Sequence, residues 1–323
     1  MKAIVVHKPG DSSEMKYEEI PIPEPGEREA LVKNHICGIN YLDVYLRDGT
    51  FPTPKMPAVA GVEGAGVVEK LGPGAVGVAT GDHVAYFHVG SGSYAEYSVV
   101  PVEKLVKVPS NISFEQAATS MIQGLTAHYL THSCYPVGPG TKVLVHAAAG
   151  GTGSLICQVA KNAGAYVIGT TSTEEKAAKA KACGADEVIL YSKKDFVQEV
   201  NSLTYGGGVN VVYDGVGKAT FDKGFNCLAT RGTMVLFGGA SGYPESLDLS
   251  LLSCGSRSLV HPKLFDYVST PEELKTRADD VFKWITEGKI KVGDFTVLPL
   301  SEARKAHDML EGKKTTGKVL LKP

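Results

Sequence analysis

The residues best suited to chemistry in this chain are His146-Ala147-Ala148-Ala149-Gly150-Gly151-Thr152-Gly153. They follow the apolar run Lys142-Val143-Leu144-Val145 and open a helical pattern over 152–163. Strand, glycine turn and helix in that order make a dinucleotide fingerprint. Ala149, Gly150, Gly151, Thr152 and Gly153 would present backbone to a pyrophosphate. Gly150 removes a side chain where the backbone must come close, and Gly153 lets the helix pack tightly on the strand. The free N–H groups of the first helical turn would face the phosphates. Ala148 replaces the first glycine of G-x-G-x-x-G. The plainer reading is a glycine-rich turn that binds nothing.

A second position bears on which dinucleotide would fit. NAD-binding folds place an acid at the end of the second strand, about 20 residues past the turn, to hold the ribose hydroxyls. Here that strand, Tyr166-Val167-Ile168-Gly169-Thr170, runs into Thr171-Ser172-Thr173 with no carboxylate. Ser172 and Thr173 can donate to a 2′-phosphate, and Lys176 in the next helical turn can supply charge. This predicts NADPH over NADH. The alternative is that Ser172 or Thr173 only caps the helix and Lys176 is solvated.

The elements that must position these residues fall into two styles. Residues 1 to 120 carry short runs such as Ala30-Leu31-Val32-Lys33, Gly64-Ala65-Gly66-Val67-Val68 and Tyr94–Val100, punctuated by Gly and Pro. That pattern predicts a β-rich domain. A helix is expected over 113–131, with Ser113, Glu115 and Gln116 at its start. Strands and helices then alternate. Strands at 142–146, 166–170, 187–190, 209–213, 232–237 and 257–260, with helices such as 174–183 between them, predict a doubly wound parallel sheet and an α/β fold. A helix near 271–287 and strands at 295–298 and 317–321 return the chain to the first domain.

Composition narrows the field. The 323 residues suffice for two domains with full cores. A net charge of -2 argues against a broad basic surface for nucleic acid or anionic lipid. No stretch approaches the roughly 20 apolar residues of a membrane span. Met1–His7 reads as a strand rather than a signal core, so the cytoplasm is the expected location. The cysteines Cys37, Cys134, Cys157, Cys183, Cys227 and Cys254 contain no Cys-x-x-Cys pair, which suits reduced thiols.

Several further motifs occur in order: Gly38-Ile39-Asn40-Tyr41-Leu42-Asp43-Val44-Tyr45, Gly61-Val62-Glu63-Gly64-Ala65-Gly66-Val67-Val68, Val212-Tyr213-Asp214-Gly215-Val216-Gly217, and Thr315-Thr316-Gly317-Lys318-Val319. With the Ala-rich turn, they make the chain resemble the quinone oxidoreductase (zeta-crystallin-like) branch of the zinc-free medium-chain dehydrogenases/reductases over nearly its whole length. The resemblance implies a GroES-like catalytic domain at 1–120, a Rossmann cofactor domain at 121–262, and a return segment at 263–323 completing the catalytic domain. It implies an active site in the cleft between domains.

The resemblance also bears on metal. The Cys, His and Cys ligands of zinc-dependent relatives fall at Asn40, Val62 and near Ile122. Val and Ile have no donor atom and Asn is a poor zinc ligand, so no metal is expected. His83 and His88 read as loop histidines. Alcohol oxidation needs a Lewis acid at the alkoxide. Hydride delivery to a quinone or enone needs less, because the acceptor spreads the incoming charge and hydrogen bonds stabilise the oxyanion.

By resemblance, Asn40, Asp43 and Tyr45 lie beside the nicotinamide and the substrate. Asn40 would donate its amide to either. Tyr45 would hydrogen-bond the reduced oxygen or supply a proton, or else be a core aromatic with its hydroxyl satisfied. Asp43 is a catalytic candidate or a turn and capping residue. Thr126 resembles a pyrophosphate or nicotinamide contact, or else bonds its own helix backbone. Phe237, Gly238 and Gly239 end the fifth strand, where backbone would meet the cofactor. Tyr191 resembles an adenine or phosphate contact, or is a surface tyrosine. The expected activity is NADPH-dependent reduction of a small quinone; an alkenal or enone double-bond reductase is the alternative enzyme. An RNA-binding or crystallin-like structural protein is the alternative of another class, and the acidic balance makes a nucleic-acid partner unlikely. A homodimer is expected through the last strand of the parallel sheet, Arg257–Val260.

Overall fold

A computed structural model of the chain describes residues 1–52 and 55–323. In chain order the first strands are β1 (Lys2–Val6), β2 (Met15–Glu19), β3 (Glu29–Gly38), β4 (Ala58–Val59), β5 (Glu63–Leu71), β6 (His83–Phe87), β7 (Tyr97–Pro101) and β8 (Leu105–Lys107). Helix α1 (Tyr41–Asp48) follows β3, and α2 (Phe114–Thr119) and α3 (Leu125–Tyr129) follow β8. Next come β9 (Lys142–Val145), α4 (Gly151–Asn162), β10 (Tyr166–Thr171), α5 (Glu174–Ala182) and β11 (Glu187–Leu190). Then follow α6 (Phe196–Leu203), β12 (Val209–Asp214), β13 (Leu228–Leu236) and β14 (Ser258–Val260), and finally β15 (Phe295–Pro299) and β16 (Lys318–Lys322).

The contacts divide the chain into two compact units. One comprises Met1–Ile122, Thr270–Thr286 and Val292–Pro323, the other Gln123–Ser269 and Glu287–Lys291. The first is built on a sheet ordered β15-β16-β3-β5-β6-β8, with β7 also on β3, beside a small sheet β2-β1-β4. β16 runs antiparallel to β3 with Leu320 opposite Gly38, and β3 runs antiparallel to β5 with Gly38 opposite Glu63. This register gathers the start of β16, the end of β3 and the start of β5 at one place. The helix Ala303–Glu311 buries Ala303, Ala306 and His307, spaced as one face of a helix requires, in a core with Ile4, Cys37, Ile39, Tyr94 and Leu321.

The second unit is a parallel sheet in the order β11-β10-β9-β12-β13-β14. The middles of its central strands are apolar: Val143, Leu144, Val145, Val211 and Val212 are wholly buried, as a sheet covered on both faces demands. β9 lies between β10 and β12, so the winding direction reverses at β9. In open α/β sheets ligands bind at the carboxyl ends of the strands at such a reversal.

Two local features differ from the sequence expectation. The helix expected over 113–131 is a run of α2, a π-helical stretch Ser120–Gly124, α3 and a second π-helical stretch Leu130–Cys134. Ser113 and Gln116 cap it reciprocally, which sets its start. The strand expected at Tyr94–Val100 begins at Tyr97, because Tyr94 is a fully buried core residue and Ala95 makes only an isolated bridge to Ala3. No helix among the described residues is long and apolar enough to cross a membrane.

Candidate active site

In the parallel unit the turn after β9 puts its left-handed residue at Ala147, with φ of 52°. Gly150 N–H then donates to the Ala147 carbonyl at 2.8 Å, and α4 begins at Gly151. A β-carbon on Gly153 would lie 2.4 Å from the Ala147 oxygen, so Gly153 is required by helix-on-strand packing. A β-carbon on Gly151 would fall 2.2 Å from the Gln123 side chain. Gln123, which the sequence reading did not single out, therefore covers the helix start, and its Oε1 is buried with no hydrogen-bond partner among the described residues. Ala148 is accepted at the first glycine position because Gly169 on β10 makes room: a β-carbon there would sit 2.7 Å from that of Ala148. Ala149 is buried behind the turn. The amides of Gly151, Thr152 and Gly153 lie in the first turn of α4, where a helix leaves N–H groups without an intrahelical acceptor. This cradle, closed to side chains, fits a dinucleotide pyrophosphate.

The end of β10 lies beside the end of β11, with Thr171 opposite Leu190. Ser172, Thr173 and Tyr191 thereby become neighbours, and Ser192 donates its hydroxyl to the Ser172 carbonyl at 2.9 Å. Thr173 is the N-cap of α5 and accepts from Lys176 N–H at 3.3 Å, so the capping alternative holds for Thr173. Glu174, in the first turn of α5 with Glu175, is paired with Lys193 at 2.8 Å. Tyr191 is half-exposed. Thr126 lies between the two π-helical stretches and is nearly buried. Thr119 and Thr131 bond back to carbonyls four residues earlier, whereas Thr126 makes no such bond among the described residues. Phe237, past the end of β13, donates N–H to the Asp214 carbonyl and lays its ring over Gly215, whose β-carbon would meet the ring at 2.8 Å. Gly238 would place a β-carbon 3.0 Å from the Gly215 oxygen, and Gly239 would place one against Tyr243.

In the other unit Asn40 is the N-cap of α1. Its backbone N–H donates to Asp43 Oδ2 at 2.7 Å, so Asp43 has a capping role whatever else it does. Asp43 is buried beside the Tyr94 hydroxyl, and among the described residues its Oδ1 has no hydrogen bond of good geometry. Burial pushes its carboxyl up to about 7; the Asn40 N–H opposes this and the Glu63 charge adds to it. Asn40 Nδ2 donates to Glu63 Oε2 at 3.0 Å, and Lys318 Nζ donates to Asn40 Oδ1 at 2.8 Å and is ion-paired with Glu63. The second oxygen of Glu63 accepts from Ile122 N–H at 2.6 Å. Tyr45 lies on α1 with its ring 6.2 Å from Tyr41 and 5.1 Å from Phe51. Val62 is buried.

Sequence reasoning missed a chain of buried polar groups behind Asp43. Arg47 is buried, donates to His307 Nδ1 at 3.0 Å and forks onto Glu311 at 2.7 and 3.2 Å. A guanidinium can only donate, so His307 Nδ1 accepts and the ring proton sits on Nε2, facing the Tyr94 hydroxyl at 3.2 Å. Burial, reinforced by Arg47, drives His307 down to about 3 and keeps it neutral. His83, read from sequence as a loop histidine, is instead the first residue of β6, its ring tilted against Phe114 at 4.8 Å, while His35 stacks on Phe114.

Two family models match: "Alcohol dehydrogenase GroES-like domain" over residues 26–110 and "Zinc-binding dehydrogenase" over residues 151–280. Quinone oxidoreductase 1 of Escherichia coli (strain K12) is 40% identical, with 99% of each chain covered. The chain belongs to the quinone oxidoreductase branch of the medium-chain dehydrogenase/reductase family. Its first unit contains the GroES-like domain of that family and its parallel sheet the Rossmann domain. A solved E. coli quinone oxidoreductase complexed with NADPH superposes with a TM-score of 0.96 at 38% identity, covering all of both chains. A 2-haloacrylate reductase of Burkholderia sp is 38% identical over 99% of this chain and 98% of its own. The zinc named in one of these family descriptions finds no donor set at the positions where zinc-dependent relatives carry their ligands. Val62 and Ile122 offer no donor atom, and the Asn40 oxygen is already taken by the Lys318 ammonium, a cation that disfavours a second one beside it.

Proposed function

We propose that this chain is an NADPH-dependent quinone reductase that passes hydride to a small quinone without a metal. The observation that carries this reading is Asn40. Its amide is committed through oxygen to Lys318 and through one N–H to Glu63, an arrangement suited to donating a hydrogen bond and unsuited to binding zinc. When bound, NADPH supplies the hydride. Gly151, Thr152 and Gly153 would hold its pyrophosphate on the α4 N-terminus, with Ala149, Gly150 and Thr126 beside it. Ser172, Lys176 and Tyr191 would hold the 2′-phosphate, and the carbonyl ends at Phe237, Gly238 and Gly239 would flank the cofactor. Asn40 would donate to the acceptor oxygen as negative charge builds there, and Tyr45 or Asp43 would supply the proton that completes the hydroquinone. Asp43 is suited to this because its carboxyl keeps a proton up to about pH 7.

No disulfide joins the six cysteines, which supports a reducing compartment, and we place the protein in the cytoplasm. We also propose a homodimer through β14, one of the two outer strands of the parallel sheet, which pairs only β13 among the described residues. The 2-haloacrylate reductase relative favours one second reading, reduction of an activated carbon–carbon double bond. The test is NADPH consumption across ortho-quinones, para-quinones, enals and a 2-haloacrylate, with alcohol oxidation by NADP⁺ as the counter-assay. Quinones are expected to turn over fastest. Faster turnover of an enal or haloacrylate would favour the second reading, and faster alcohol oxidation would overturn both.

A further inference from the structure

Asn40, Glu63 and Lys318 are 6%, 0% and 2% exposed, and their polar atoms are directed at one another. The backbone register forces this. Leu320 opposes Gly38 and Ile39 N–H donates to the Val319 carbonyl at 3.1 Å, so Lys318 arrives alongside Asn40. Gly38 opposes Glu63, and a β-carbon on Gly38 would lie 1.8 Å from Glu63 Oε2. Gly38 is thus the space that the Glu63 carboxylate occupies.

The chemistry of the three groups fixes the amide. An ammonium only donates, so the Asn40 atom facing Lys318 must be oxygen; an ionised carboxylate only accepts, so the atom facing Glu63 must be nitrogen. The flip state follows from the partners rather than from an assignment. One hydrogen of Nδ2 goes to Glu63, and among the described residues no acceptor takes the other. The Ile122 N–H holds Glu63 from its far side. Buried ion pairs of this kind can often be replaced by apolar side chains with no loss of stability, so stability alone does not explain the pair.

We propose that Lys318 and Glu63 are positioning residues that lock the Asn40 amide in one orientation and leave its second N–H as the hydrogen-bond donor used in the reaction. This rests on the functional reading above for what the donor meets, but not for the lock itself. The other ionisable groups around the cluster are Asp43 on α1, Cys37 on β3, Tyr86 on β6, and Tyr94. Asp43 and Tyr94 both feel the Glu63 charge, so Lys318 balances two carboxyl groups.

The test uses the full chain labelled with ¹⁵N-asparagine, with the Asn40 side-chain resonances assigned by their loss in Asn40→Asp. In the wild type these resonances should show only the step that the neighbouring Asp43 imposes near pH 7, and none on the acid side of it. In Lys318→Met the carboxyl at position 63 is left buried without its cation and takes up a proton as the pH falls. The Asn40 resonances should then gain a further step on the acid side that the wild type lacks, and kcat for quinone should acquire a new fall there. A purely structural role would lower activity without adding that limb. The Glu63→Gln, Lys318→Met double variant removes both charges of the buried pair together, so neither is left unpaired, and should fold even where the single variant does not. Its Asn40 resonances should be displaced at every pH, with kcat down about tenfold or more and the dissociation constant for NADPH little changed. Asn40 resonances that match the wild type in the double variant would overturn the proposal, as would an unchanged kcat. A wild type that reduces no quinone would instead fail the functional reading, and the resonances would still decide the lock.

Discussion

Asp43 and His307 give the GroES-like unit two opposing pH dependences. Asp43 is raised by burial from 3.8 to about 7, so across that window the folded state holds a proton the unfolded chain has lost, and stability falls as pH rises. His307 is lowered from 6.5 to about 3, so across its window the unfolded chain holds the extra proton, and stability rises with pH. Between 3.8 and 6.5 the two effects cancel. Asp43→Asn removes one of them while its side-chain oxygen can still accept the Asn40 N–H. The variant should therefore gain on the wild type as pH rises through that window, at roughly 1.4 kcal/mol per pH unit. Urea unfolding at several pH values checks this, and parallel curves would show that Asp43 is ionised in the folded state. A second residue-scale outcome concerns Lys176. Lys176→Glu should raise KM for NADPH far more than for NADH, and an equal effect on both would remove it from the phosphate site. The candidate residues were legible wherever they stand next to one another in sequence, as Asn40 and Asp43 do. Glu63 and Lys318 both stand in visible motifs, but they are 255 residues apart and meet only through the strand register. The buried Arg47 and His307 carried no local signal, because a charged residue in an amphipathic helix usually faces solvent.

Among the elements, the glycine turn states its requirement most sharply. Gly153→Ala would push a β-carbon to 2.4 Å from the Ala147 oxygen and force α4 away from β9. We expect a lower Tm and weaker NADPH binding, measured by thermal shift with and without cofactor; an unchanged pair of values would show that the turn relaxes freely. The order of β9 through β14 was readable because buried parallel strands are continuous apolar runs separated by helical patterns. Ala148 in the fingerprint was readable as a departure, but its compensation by Gly169 on the neighbouring strand was not. α1 escaped periodicity because it is only eight residues long, although Asn40 and Asp43 have capping-box spacing. The two π-helical stretches around α3 were also not legible. One extra residue per turn barely disturbs an apolar period, and such insertions are settled by packing.

For the whole molecule, the outer position of β14 carries the expectation of a dimer, and light scattering at micromolar concentration should return twice the chain mass; a monomer would refute it. The larger claim is that hydride reaches a quinone with hydrogen-bond donors in place of a Lewis acid. The donor atoms support it: Val62 and Ile122 have none, and the Asn40 amide is held between an ammonium and a carboxylate. The most direct measurement is the rate of NADPH-dependent 1,4-benzoquinone reduction before and after exhaustive chelation, with the zinc content of the same samples determined by elemental analysis. We predict no stoichiometric zinc and an unchanged rate. Stoichiometric zinc, with activity lost on its removal and recovered on its return, would contradict the account.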